Sequence, residues 1–309
     1  MKTISGNSLV KNSFYNIIGS IAPLFVALFA IPLLVHGLGE EKFGILSLAW
    51  VVIGYFSFFD FGIGRTLTKI IAENIGLDKF DDIPDLFWTA LFLMLLISFV
   101  GTILLFFGTP FLVLNFLKIS KEFQEESINT FYVLALSVPI VTTTAGLRGV
   151  LEAYQKFGTI NIIRTILGVS TFAGPLLCLI FTDNLFIIVC FLTFIRLIIW
   201  YFYYRECIKL DSIRDIKKNI RKTFIKPILK ISTWMSISNL VGPILLYIDR
   251  FLIAALISAT AVTFYTTPYE VITKILIIPG ALTGVLFPAI SSTYSTNPVL
   301  TKNLLSKSI

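Results

Sequence analysis

Charge is what this sequence has least of. Only 14% of its 309 residues are Asp, Glu, Lys or Arg, against roughly 25% in an ordinary soluble domain. A soluble globule of this length needs a charged skin, and the chain has no material for one, which excludes a soluble enzyme. Histidine is nearly missing too: His36 is the single one, and Cys178, Cys190 and Cys207 form no Cys-x-x-Cys pair. A His/Cys metal centre or a Ser-His relay is therefore excluded, and no cofactor is implied. No Asn-x-Ser/Thr sequon and no disulfide spacing occur, so nothing suggests a secreted domain.

What is present is apolar. Hydrophobic residues make up 56% of the chain, 29 of them Phe, and the mean hydropathy is +0.88. These values define an integral membrane protein. Taking roughly 20 apolar residues per transmembrane helix, the chain offers eight spans, at about 14–36, 43–64, 86–108, 128–150, 160–182, 185–204, 229–258 and 262–290. The expected fold class is an all-α polytopic membrane protein. The first span is too long for a signal peptide, carries Pro23 and Pro32, and has no small-residue cleavage site, so it reads as a retained helix.

The cations set an orientation. The net charge of +7 implies no nucleic-acid partner, because 19 of the 25 Lys and Arg fall on the side of the N-terminus. Only Lys42, Lys118 and Lys121 lie on the other side; Arg196, Arg250 and Lys274 lie within spans. By the positive-inside rule both ends of the chain face the cytoplasm. The basic stretch Arg205 to Lys230 reads as a topology anchor on anionic lipid.

That stretch also separates two unequal parts. Displacing the chain by 223 residues aligns Ser13, Asn16, Gly19 and Ile21 with the identical Ser236, Asn239, Gly242 and Ile244. Both segments run in the same direction, so the repeat is parallel, as in two-lobed transporters with a cavity between the lobes. The expected organisation is a six-helix lobe at 1–206, a basic linker at 207–226, and the first two helices of a second lobe at 227–309. On this reading the chain looks cut short.

A set of motifs then recurs in a telling order. Asn16-Ile17-Ile18-Gly19 opens span one, and Gly37-Leu38-Gly39-Glu40-Glu41-Lys42-Phe43-Gly44 follows it. Asp60-Phe61-Gly62-Ile63-Gly64-Arg65 closes span two, and Gly146-Leu147-Arg148-Gly149-Val150-Leu151-Glu152-Ala153-Tyr154-Gln155 closes span four. Tyr247-Ile248-Asp249-Arg250 lies in span seven, and Leu286-Phe287-Pro288-Ala289 ends span eight. The order resembles the polysaccharide exporters of the MOP flippase superfamily, most closely the O-antigen flippases. The resemblance implies about a dozen helices in two lobes, of which roughly the last four are lacking. It implies a carrier, not an enzyme. Its cargo would be an undecaprenyl-pyrophosphate-linked oligosaccharide moved across the bacterial inner membrane, with membrane lipids and other surface-glycan assembly proteins as partners. Asp60 resembles the acidic position of the family's motif.

Such a cargo asks for a wet, cationic path, because a bare charge at the bilayer centre costs at least ~3 kcal/mol. Arg196, halfway along span six, faces either a cavity or an ion-pair partner. Arg148 and Glu152 share one face of span four, and Arg164 lies at the same level; they either receive the pyrophosphate or snorkel. Asp249 and Arg250 point about 100° apart, and Glu270 and Lys274 are spaced to pair. These four make either a gate or ion-coupling site, with Asp60, or a packing network. Pro139 and Pro175 bend spans, and the aromatic run 200–204 reads as an interfacial belt. An apolar-cavity drug or metabolite antiporter of the same superfamily, and an inactive truncated fragment, are the alternatives. A glycan polymerase or acyltransferase lacks its catalytic loop or intramembrane histidine here.

Overall fold

The computed structural model describes residues 6–56, 60–214 and 220–275, and the side chains of 22–54, 56, 60–213, 220–233, 248–270 and 272–273. The described residues form ten α-helices: α1 Gly6–Leu38, α2 Glu40–Phe56, α3 Ile63–Gly76, α4 Ile83–Phe111, α5 Lys121–Ala153, α6 Phe157–Leu179, α7 Leu185–Ile208, α8 Asp211–Arg214, α9 Lys222–Leu256 and α10 Ala259–Ile275. A single 3-10 turn precedes α4 and a π-helical turn, Leu112–Phe116, follows it. The all-α polytopic expectation is met. Four described stretches, Phe80–Phe116, Lys121–Ala153, Phe157–Leu179 and Leu185–Ile208, are long and apolar enough to cross a membrane. Phe99, Leu104 and Phe107 on α4 and Phe181 after α6 are more than half exposed, as side chains facing lipid must be. The Leu286–Ala289 motif lies outside the described residues.

Span two departs from its expected form. The sequence predicts one span over about 43–64, but α2 ends at Phe56 and a second helix, α3, runs from Ile63 to Gly76. The chain turns between them with Phe61 at φ 47° and Gly62 at φ 70°, a left-handed pair that no helix can include. The Asp60 carboxylate accepts from the backbone N–H of Gly62 at 2.9 Å and of Gly64 at 3.1 Å, satisfying donors that the new helix leaves orphaned. The helix α3 is amphipathic, burying Ile63, Thr66, Leu67 and Ile71, so length and mean hydropathy alone hid it.

Packing follows from small residues and from prolines. The helices α3 and α5 touch backbone to backbone at Gly64 and Gly149, where Thr68 Oγ1 donates to the Gly149 carbonyl at 3.0 Å. Pro139 in α5 has no N–H for the carbonyl of Ala135, and Thr102 Oγ1 of α4 fills the gap at 3.1 Å. The helices α1 with α6, α4 with α5, and α5 with α7 form the main pairs, while α10 lies on α2 and α9 on α3 and α4.

Buried apolar residues fall into two clusters at opposite ends of the bundle. One, at the Lys118 end, contains Val138, Phe172 and Leu192 with α2 and the π-helical turn. The other, at the Arg148 end, contains Leu147, Ile163 and Ile199 with α3.

Candidate functional site

Between the two apolar clusters lies a polar layer. On α5, Thr142 and Thr143 separate Val138 from Leu147; on α7, Thr193 and Arg196 separate Leu192 from Ile199. The hydroxyls of Thr142 and Thr143 turn back onto carbonyls one turn earlier, and Thr143 also accepts from Trp200 Nε1 at 2.9 Å. Arg196 is 8% exposed. Its Nη1 donates to the carbonyl of Leu192 in its own helix at 3.2 Å, and no described carboxylate pairs with it. The ion-pair alternative for Arg196 therefore finds no partner among the described residues. A guanidinium has five N–H donors, so most of its capacity here is unspent.

The face of α7 that carries Arg196 continues to Ile199, Tyr203 and Cys207, all buried. Tyr203 lies seven residues on, about 10 Å along the axis. Its hydroxyl lies within hydrogen-bonding reach of the Ile160 carbonyl at 3.5 Å, and Arg148, Arg164 and Glu152 all act on it electrostatically. The two arginines grouped from the sequence thus both lie within electrostatic range of one tyrosine. Arg148 Nε lies 3.4 Å from Glu152 Oε1, as their spacing predicts, and Arg148 also acts on Asp60. Asn161 on α6, 4% exposed, has a side-chain amide nitrogen without a partner among the described residues. Sequence reading passed over Tyr203 and Asn161; the period from Arg196 to Tyr203 was the available signal. The aromatic run divides: Tyr201 and Phe202 face outward, whereas Trp200 stacks on Tyr204 at 5.3 Å and Tyr203 turns inward.

A second charged group joins α9 to α10. Arg250, 2% exposed, donates to Glu270 at 2.6 Å and lies over the ring of Tyr269. Asp249 accepts from its neighbour's backbone N–H at 2.8 Å and from the hydroxyl of Tyr265. The described partner of Glu270 is thus Arg250; the Lys274 side chain, paired with it from the sequence, lies outside the described residues. Asp60 belongs to the break before α3, apart from this group.

The fold is that of a polytopic bundle of membrane-spanning helices. Among solved structures, the chain superposes on an inward-facing multidrug resistance MATE family transporter of the MOP superfamily with TM-score 0.70 and 17% identity, covering 94% of this chain and 69% of the other. A MOP superfamily transporter from Pyrococcus furiosus matches with TM-score 0.64 and 16% identity over 93% of this chain and 70% of its own. A Shigella flexneri protein named "Putative O-antigen transporter" is 32% identical over 289 residues, 92% of this chain and 67% of that protein. The profile of the family described as "Polysaccharide biosynthesis protein" matches residues 9–294. The chain belongs to this family.

Proposed function

We propose that the protein takes part in moving a lipid-linked oligosaccharide, with an undecaprenyl-pyrophosphate carrier, across the bacterial inner membrane. The observation that carries this reading is Arg196: a buried guanidinium at the middle of a span, with no described carboxylate beside it. A chain that keeps such a group against its desolvation cost keeps it for an anion that arrives. Arg148, Arg164 and Tyr203 then form the approach from the Arg148 end, which we take as cytoplasmic. A planar guanidinium matches a phosphate with paired hydrogen bonds, and the hydroxyls of the polar layer suit sugar. An apolar drug cargo would use none of these groups. No bond is made or broken; the work is binding and release on opposite sides.

In this reading residues 1–206 act as one lobe, and the second follows the basic linker at 207–226, whose last residues already form the first turn of α9. Asp249, Arg250, Glu270 and Lys274 would couple movement between the lobes to an ion or a proton. The homologous Shigella flexneri protein, by its name an O-antigen transporter, supports the cargo class.

The test is Arg196→Met in a strain whose own O-antigen exporter is deleted. Surface glycan is expected to fall at least about tenfold while the purified protein becomes more stable by ~1–2 kcal/mol, because a buried unpaired charge has been replaced by a packed thioether. Normal surface glycan from this variant overturns the reading.

A further inference from the structure

The contact between the α9–α10 turn and the rest of the bundle, at the Lys118 end, is made in an unusual way. The helix α9 ends at Leu256 and α10 starts at Ala259, so the turn exposes unpaired carbonyls on one side and unpaired N–H groups on the other. One residue of the α4–α5 loop serves both. The backbone N–H of Lys118 donates to the Ala254 carbonyl at 3.0 Å, and its own carbonyl accepts from Ala259 N–H at 3.3 Å. Its Nζ donates to the Leu256 carbonyl at 2.6 Å, which also sets a cation at the negative end of α9. Leu117 and Ile119, on either side, are 3% and 6% exposed and hold the loop in the apolar cluster. Around this clasp, Thr263 of α10 donates to the Glu40 carbonyl, and Glu41 accepts from Ser120 N–H at 2.7 Å.

The turn shares apolar packing with the loop, since Ala254, Ala259 and Val262 are fully buried in the same cluster as Leu117 and Ile119, and the clasp adds polar bonds to it. Its bonds are backbone groups at helix ends and one exposed lysine, and water can replace every one of them when the surfaces part. Each such bond is worth only about 1 kcal/mol net, so the clasp can open without leaving a buried group unsatisfied.

We infer that Lys118 is the latch of a gate at this end of the molecule, holding the α9–α10 turn against α2 and closing the exit. The inference rests on the transport reading for its purpose but not for its geometry. Release of the latch frees α10 from α2 and opens the polar layer towards this side.

The test uses the full chain in membranes, with Cys178, Cys190 and Cys207 changed to Ala and a reporter at Thr266→Cys. Thr266 is fully buried and its hydroxyl has no described partner, and it lies two turns below Ala259 on the same face of α10. An impermeant maleimide is expected to label the reporter about fivefold faster in Lys118→Ala than in the parent, while Lys118→Arg, which keeps a cation for the Leu256 carbonyl, stays slow. A Ser98→Cys reporter inside the bundle must stay unlabelled throughout. Equal reporter rates in Lys118→Ala and parent overturn the latch, and so does labelling at Ser98→Cys, which would make the loop a general prop of the fold. Glycan export by the parent separates the two claims. Export without Lys118-dependent labelling removes the latch alone; Lys118-dependent labelling without export removes the transport reading alone.

Discussion

At the residue scale, the protein uses its few charges in two opposite ways. Arg196 is kept dry and without a described acid, whereas Lys42 is fully engaged: it pairs with Asp183 at 2.8 Å and with Glu126 at 3.7 Å. Glu126 in turn accepts from the N–H of Leu185, so one cation ties α2 to the starts of α5 and α7. The Lys42 hydrogen bond and charge hold the Asp183 carboxyl below the usual carboxylate range. A depressed value in the folded state contributes stability above the unfolded pKa, near ~3.9, and that contribution is lost as pH falls through the lower folded value. The Lys42–Asp183 coupling, measured by a double-mutant cycle of Lys42→Met and Asp183→Asn on the thermal midpoint, is therefore expected to be constant from neutral pH down to about 5, to decline below about 4, and to vanish only beneath the lower folded value. A coupling that grows on acidification would reverse the sign. Arg196 was legible in the sequence as a cation within an apolar run, but its lack of a described carboxylate partner was not, because partners come from other helices.

At the element scale, the break in span two is the clearest case of structure deciding what composition could not. Asp60, Gly62 and Gly64 were visible as a motif, yet the same letters fit a helix end followed by a loop. What makes α3 a helix is the packing of its buried face, reached only after α5 comes close enough. That approach depends on glycine. A Cβ on Gly149 would stand 2.5 Å from the Gly64 carbonyl oxygen and 2.7 Å from Thr68 Oγ1, which forces the two backbones apart. Gly149→Ala is expected to lower the thermal midpoint by the equivalent of ~1–3 kcal/mol. Gly158→Ala, with nothing within 4 Å of the added carbon, serves as the control that stays neutral. Equal effects at the two positions would remove glycine contact as the cause. The Pro139 bend makes the same point: its sequence position foretold a missing hydrogen bond, while Thr102 as the group that repairs it comes from another helix, 33 residues away in the chain.

At the scale of the whole molecule, α9 is held at both ends. Near the Arg148 end, Arg221 pairs with the buried Asp85 at 2.6 Å, and Ser232 meets Thr66 at 3.0 Å; near the other end it meets the Lys118 loop. A helix fastened at two ends to the same bundle is suited to rocking, with one fastening released at a time. The orientation of that motion follows from the placement of the cations. Single cysteines at Lys79 and Lys121, in otherwise cysteine-free protein, are expected to react with an impermeant reagent from the cytoplasmic and the outer side respectively. The opposite result would invert the molecule and turn the Lys118 latch into a cytoplasmic one.

The sequence by itself determined the solvent and the class, and set an expectation for the direction of the chain. Poverty of charge, long apolar runs and one-sided lysines act through transfer free energies that each segment meets alone. It also marked Asp60, Arg148, Arg164, Arg196 and the Asp249–Arg250 pair, since an ionisable group in a lipid-facing run is conspicuous wherever it lies. Only the tertiary structure decided that Arg148 and Arg164 lie within electrostatic range of one buried tyrosine, Tyr203, that Arg250 holds Glu270, and that Lys118 serves the ends of two helices. Those outcomes depend on side chains and backbone groups from distant segments meeting in three dimensions, and helical periodicity carries information about the faces of one helix, not about which faces meet.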